Sequence, residues 1–397
     1  MEKKRLDYLD MVKGFGIFLV VLGHMEDIAT STRVWISSVH MPLFFIVTGI
    51  IMAVKCEPDR DFKECVQKRF RGIVIPYLWF SLSYFLIDIA NCWIIKNIDF
   101  HTFLVDIISS LTFYGHSVLW FLPAIFLASV GFLFLKHKFP DKITCPLAFA
   151  IAIAAYVIKL GVEKVYAANA DSLLITSLIN IVYTIIRAFI AQSFVAGGYY
   201  AKKLFDKITL NKHVFLPGYN AVMNEKTGVN FESNGSENSH FDDKNEKSEK
   251  NDRKHMIFER LLLLFIGAVL LAVNIPTAFL NECVDLRNIL LNNVAIYYVS
   301  AFCGCFGIIL VYKALPPIKP VIYYGKNSII VMAAHVNYYF LYAGIRLAWV
   351  VDAHNKHAKH YVFVAVVVIT VFALCTIVIE AINRFFPFVL GKKRIRK

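Results

Sequence analysis

About ten apolar runs of roughly twenty residues recur along this chain, and they leave it few folds to adopt. An α-helix rises about 1.5 Å per residue, so a run of that length matches a hydrocarbon core roughly 30 Å thick. Lipid offers the backbone no hydrogen-bond partners, so only helices and closed barrels can span it, and runs this long are helical. A soluble fold of 397 residues would not have core enough for a sequence that is 58% hydrophobic with 34 Phe. The expected fold is therefore all-α: a polytopic integral membrane helical bundle with about ten transmembrane helices. The spans are predicted near 13–30, 35–54, 72–95, 118–135, 143–161, 175–199, 257–274, 293–312, 327–347 and 361–381.

The basic balance fits this picture rather than a nucleic-acid partner. The 42 Lys and Arg exceed the 29 Asp and Glu to give a net charge of +13. Most of them fall in alternate loops: Lys3, Lys4 and Arg5, the cluster from Lys55 to Arg71, and the tail from Lys392 to Lys397. The positive-inside rule then predicts cytosolic N- and C-termini in a multi-pass protein of the cell membrane. The first run has no small-residue cleavage site before Arg33, so it is expected to be retained rather than removed as a signal peptide. The eight cysteines are scattered, with neither metal-ligand spacing nor a disulfide framework, and no metal is expected.

One stretch departs from the pattern. Residues 212–256 are rich in Asn, Glu, Lys, Ser and Asp, and are predicted to form a disordered polar cytosolic loop. It divides the membrane domain into residues 1–211 with six spans and 257–397 with four spans and a basic tail. No internal repeat is visible. The half-apolar segment from Asn97 to Ser117 carries Asp99, His101, Asp106 and His116, and suits an interfacial or re-entrant helix better than a span.

Ionisable groups inside the spans are costly, about 2.5–3.5 kcal/mol each on insertion scales, so function is their default reading. Lys13 and His24 lie in one apolar run, about three helical turns and roughly 16 Å apart on a shared face. Lys13 should sit at the cytosolic rim and His24 near the outer leaflet. His40, in the next span, is expected at matching depth, roughly 7–9 Å below the outer surface, where the two imidazoles can meet. Histidine suits proton abstraction near neutral pH. Glu26 and Asp27 follow His24 closely, but spacing does not say which, if either, orients an imidazole.

The rim residues Lys68, Arg69 and Arg71, just before Ile75-Pro-Tyr77, offer guanidinium forks that suit phosphate oxygens. Spacing alone favours topogenic charge for them. Arg187 falls near the middle of span six and His335 in span nine, so each should face the interior or a wet cavity. Trp120 opens span four and also suits an aromatic belt.

Taken in order, these motifs resemble the acyltransferase 3 family of membrane-bound sugar and polysaccharide O-acyltransferases. The resemblance is carried by Arg5-Leu-Asp-Tyr-Leu-Asp-Met-Val-Lys13 through Val20-Val-Leu-Gly-His24 and by His40-Met-Pro-Leu-Phe-Phe-Ile-Val-Thr-Gly49. The basic rim, Leu119-Trp-Phe-Leu-Pro123, and Gly325-Lys-Asn-Ser328 leading to His335 continue it. The chain looks most like the fucose 4-O-acetylase-related branch, with 212–256 as an insertion. The resemblance implies an acyl donor, acetyl-CoA or another acyl-CoA from the cytosol, and a carbohydrate or cell-surface glycan hydroxyl as acceptor. It implies His24 as the catalytic residue with His40 beside it, and donor binding by Lys13, Lys68, Arg69 and Arg71. The family's two arginines three apart correspond here to Lys68 and Arg71, which leaves open which residues form the clamp. Direct transfer and an acyl-histidine intermediate also both remain open.

Two other classes compete. A proton-coupled secondary transporter would use Lys13, His24, Arg187 and His335 as a relay and would show broken helices in corresponding halves. A membrane scaffold would tolerate single substitutions at Lys13 and His24.

Overall fold

A computed structural model describes residues 6–25, 28–55, 57–95, 100–168, 173–215, 238–354 and 360–392. The described residues form a helical bundle with no β-strands, and eight of its helices are long and apolar enough to cross a membrane. In chain order the helices are α1 (Asp7–Gly23), α2 (Thr30–Val54), α3 (Phe62–Arg69), α4 (Ile75–Ile95), α5 (Phe100–Leu111), α6 (Phe121–Lys138) and α7 (Asp141–Ala168). They continue with α8 (Leu173–Phe215), α9 (Asn238–Asn281), α10 (Val294–Ala314), α11 (Lys319–Lys326), α12 (Ser328–Ala334), α13 (Phe340–His354) and α14 (His360–Phe385).

Burial separates the central helices from those that face lipid. In the apolar window of α2, 72% of residues are buried, against 17% in α9 and 22% in α14. α2 is the hub: it packs on α1, α8 and α10, while α6 and α7 lie against α8 and α9 pairs with α10. Outward Phe258, Phe265, Ile369 and Ile377 would be errors in water, but they are what lipid requires of a peripheral helix.

Two expected spans take a different form. The first helix begins at Asp7 and ends at Gly23, so His24 stands just past its end rather than inside a span reaching residue 30. Gly23 is a weak helix former, and the turn after it is closed by Arg33, whose Nη2 donates to the Met25 carbonyl at 3.0 Å. The expected span 327–347 is broken. α12 stops at Ala334, and the chain turns through Tyr339, with φ of 60°, before α13 resumes. Irregular backbone at membrane depth is tolerated where protein covers it, and here His335 at the break is wholly buried.

The stretch expected to be a disordered polar loop is helical wherever it is described. Residues 216–237 lie outside the described residues, while α8 runs to Phe215 and α9 starts at Asn238. No Gly or Pro occurs from 238 to 256, and Asp243, Glu246 and Glu249 each precede a Lys or Arg by four residues, a spacing that favours helix. The segment expected to be interfacial becomes the short helix α5 and a tight turn. At Gly115, with φ of +86°, an added Cβ would fall 2.3 Å from the Trp120 Cα.

Candidate active site

The bundle encloses a cavity of about 740 Å³ that runs between two chemically distinct ends. On the basic face it is lined by Lys13, Lys55, Glu57, Lys68, Arg69 and Lys326. At the other end stand His24, Arg33, His40, Asp285 and Arg287, and between them lie Ile17, Val20, Phe44, Val47, Phe121 and Met332. Helical spacing explains the wall that α1 supplies. Lys13, Ile17, Val20 and His24 step by four, three and four residues and so keep one face to the cavity.

Glycine lets the helices close around this face. A Cβ on Gly325 would fall 1.8 Å from the Asp10 carbonyl oxygen, and one on Gly14 would fall 2.1 Å from the Val321 carbonyl oxygen. α11 therefore lies backbone to backbone on α1 and brings Lys326 to the same rim as Lys13. Gly325→Ala should force them apart at a cost of about 1–3 kcal/mol. The measurement is the thermal unfolding midpoint of purified protein in detergent, which should fall; an unchanged midpoint would mean the contact is dispensable.

The rim is held by one buried carboxylate. Glu57 is 5% exposed, forms a short ion pair with Arg69 and lies 3.5 Å from Lys68 Nζ. Lys13 is paired with Asp10 at 2.7 Å. After α3 the chain takes a π-helical turn over Phe70–Val74, in which Ile75 N–H donates to the Phe70 carbonyl. Lys68 and Arg69 line the cavity, whereas Arg71 is exposed outside it.

At the far end three histidines share one arrangement. His24 Nδ1 lies 2.8 Å from the Val20 carbonyl oxygen, His40 Nδ1 lies 2.7 Å from that of Ile36, and His335 Nδ1 lies 2.8 Å from that of Met332. A carbonyl can only accept, so each Nδ1 carries the proton and each Nε2 keeps its lone pair. His335 Nε2 lies 3.4 Å from His24 Nδ1, with the rings edge to face and their centroids 4.9 Å apart. His24 thus has its Nδ1–H directed to the Val20 carbonyl and toward His335, and its ring faces the cavity. His335, expected only as a polar residue within span nine, is the histidine that touches His24, while His40 lines the cavity nearby. Glu26 and Asp27 lie outside the described residues.

Arg187 is 1% exposed, and its Nη1 donates to the Tyr114 carbonyl at 3.0 Å. Its guanidinium lies over the rings of Tyr114 and Trp120, at 4.2 and 5.5 Å from their centroids. Trp120 lines the cavity, so Arg187 stands one ring behind its wall.

The sequence reading missed the element that closes this end, a hairpin between α9 and α10. Asp285 and Leu290 exchange backbone hydrogen bonds of 2.9 and 2.8 Å. Val284, Leu286, Ile289 and Leu291 are buried beneath it, and Asn281 clamps it by donating to the Leu291 carbonyl and accepting from Asn293 N–H. The signal was present as four apolar residues, Val284, Leu286, Ile289 and Leu291, between Asn281 and the pair Asn292 and Asn293.

The described geometry is a basic rim, an apolar passage and a histidine at its end, with a fold of membrane-spanning helices around them. Residues 6–380 match the family described as an acyltransferase domain. The chain belongs to the acyltransferase 3 family. No curated protein and no solved structure matches it. The family and the eight membrane-crossing helices together make it a multi-pass membrane acyltransferase.

Proposed function

We propose that the protein transfers an acyl group, acetyl in the simplest case, from cytosolic acyl-CoA to a hydroxyl of a carbohydrate or cell-surface glycan. The observation that carries this reading is the single cavity joining Lys68 and Arg69 to His24. Lys13, Lys68 and Arg69 would hold coenzyme A phosphates, with Arg71 at the exposed lip where they arrive. The pantetheine arm would lie along the apolar passage with its thioester toward His24.

His24 Nε2 would take the acceptor hydroxyl proton as that oxygen attacks the thioester carbonyl. The tetrahedral adduct collapses by breaking the C–S bond, and the leaving thiolate recovers the proton from His24. Acyl-CoA and alcohol become ester and free thiol, so atoms and charge balance. Nδ1 is already committed to the Val20 carbonyl, which fixes the ring, and His335 Nε2 beside it favours the imidazolium formed in the transition state.

Cell-surface glycans compared by mass with and without the intact protein should differ by one acyl group on a defined sugar. Unchanged glycans, together with no acyl-CoA consumption by the purified protein in proteoliposomes, would overturn the reading; proton-coupled uptake in the same vesicles would point to transport instead.

A further inference from the structure

Among the described residues, the hairpin end of the cavity sets Arg33, Asp285 and Arg287 beside His24 and His40. Arg287 is half-buried and lines the cavity, and among the described residues no carboxylate is within ion-pair distance of its guanidinium. Among the described residues, Asp285 is the acidic side chain lining this end, and its oxygens are committed to the hairpin. Oδ1 accepts from Arg287 N–H at 2.8 Å and Asn288 N–H at 3.2 Å, and Oδ2 accepts from Asn288 Nδ2 at 2.7 Å.

Behind the wall, Arg187 adds a further cation. Its Nε and Nη2 have no hydrogen-bond partner although the residue is 1% exposed, and no carboxylate among the described residues is paired with it. A guanidinium buried at membrane depth with most of its donors idle is expensive, and such a charge ordinarily marks a substrate pathway. The thioester end of the donor brings no anion here, because the phosphates of coenzyme A belong at the opposite rim.

We propose that this end of the cavity binds an anionic group on the acceptor, a carboxylate or a phosphate, so that the sugar acylated is an acidic or phosphorylated one. Arg287 makes the contact through its fork of N–H donors, and Arg187, stacked behind Trp120, holds the local potential positive. The inference rests on the reading of the His24 end as the acceptor site. It adds a criterion of choice: the anion anchors the sugar so that a neighbouring hydroxyl meets His24.

The test uses purified full-length protein in lipid nanodiscs with acetyl-CoA and three acceptors: methyl glucoside, methyl glucuronide and glucose 1-phosphate. At least one anionic acceptor should exceed the neutral one by about tenfold or more in kcat/KM, the worth of one charge-assisted contact. Which of the two leads distinguishes a carboxylate from a phosphate. Arg287→Gln should collapse that ratio, and Arg287→Lys, which keeps the charge but loses the fork, should retain part of it. Should the Gln variant be too weak to measure, a ratio in the Lys variant equal to wild type overturns the proposal. Equal use of neutral and anionic sugars also sinks the anion site while leaving acyl transfer intact. No transfer to any acceptor and no acetyl-CoA consumption would instead remove the acyl-transfer reading, and this inference with it.

Discussion

His24→Ala should lower kcat for acyl transfer by about 10²–10⁴-fold, the usual contribution of a positioned general base, while the protein still inserts and binds donor. The side chain stands past the end of α1 and lines the cavity, so its removal takes away no element of the core. Its loss leaves the acceptor hydroxyl without a proton acceptor whose lone pair is fixed. His335→Gln should cost less, because the Val20 carbonyl still orients His24, and its effect should appear in kcat more than in KM for either substrate. Measuring initial rates of acetyl transfer alongside acetyl-CoA binding separates the two effects. Wild-type-like turnover by His24→Ala would remove it from the chemistry.

What the sequence made legible follows from which interactions are local. The bundle, the shared face of Lys13 and His24, and the family were readable because hydropathy, 3.6-residue spacing and contiguous motifs all act within one helix. Partners across helices were not. His335 lies 311 residues from His24 along the chain, and the packing of α11 and α12 on α1, close at Gly325, brings them together. Gly325-Lys-Asn-Ser could be recognised as a motif, but its physical reason, the 1.8 Å approach a Cβ would make to Asp10, required the packed helices. Glu57 escaped notice for a similar reason. In sequence it is one of four acids between Lys55 and Arg71, whereas in the fold it is the buried carboxylate that pairs with Lys68 and Arg69 at the cavity. The hairpin is not legible from hydropathy because it lies between two spans, yet its Val284, Leu286, Ile289 and Leu291 are buried.

The rim makes the second large prediction. Arg69 is mostly buried, carries the ion pair to Glu57 and lines the cavity, while its Nε has no partner. A guanidinium so placed can give a phosphate a charge-assisted bond worth about 1.5–3 kcal/mol. Arg69→Ala should therefore raise KM for acetyl-CoA by about 10- to 150-fold. It also leaves Glu57 buried with Lys68 alone, so part of the loss could come from a disturbed rim rather than a lost contact. Acetyl-pantetheine, which presents the same thioester without the phosphates, separates these causes. If Arg69 reads phosphate, the advantage of acetyl-CoA over acetyl-pantetheine in kcat/KM shrinks in the variant. If Arg69 only braces the rim, both donors lose together and their ratio stays as in wild type. Arg69→Lys should fall between, because an ammonium can answer both Glu57 and a phosphate as a point charge but cannot bind either with a planar fork. Arg71→Ala, on an exposed side chain outside the cavity, should change that ratio far less, which would locate the clamp on the residues that turn inward.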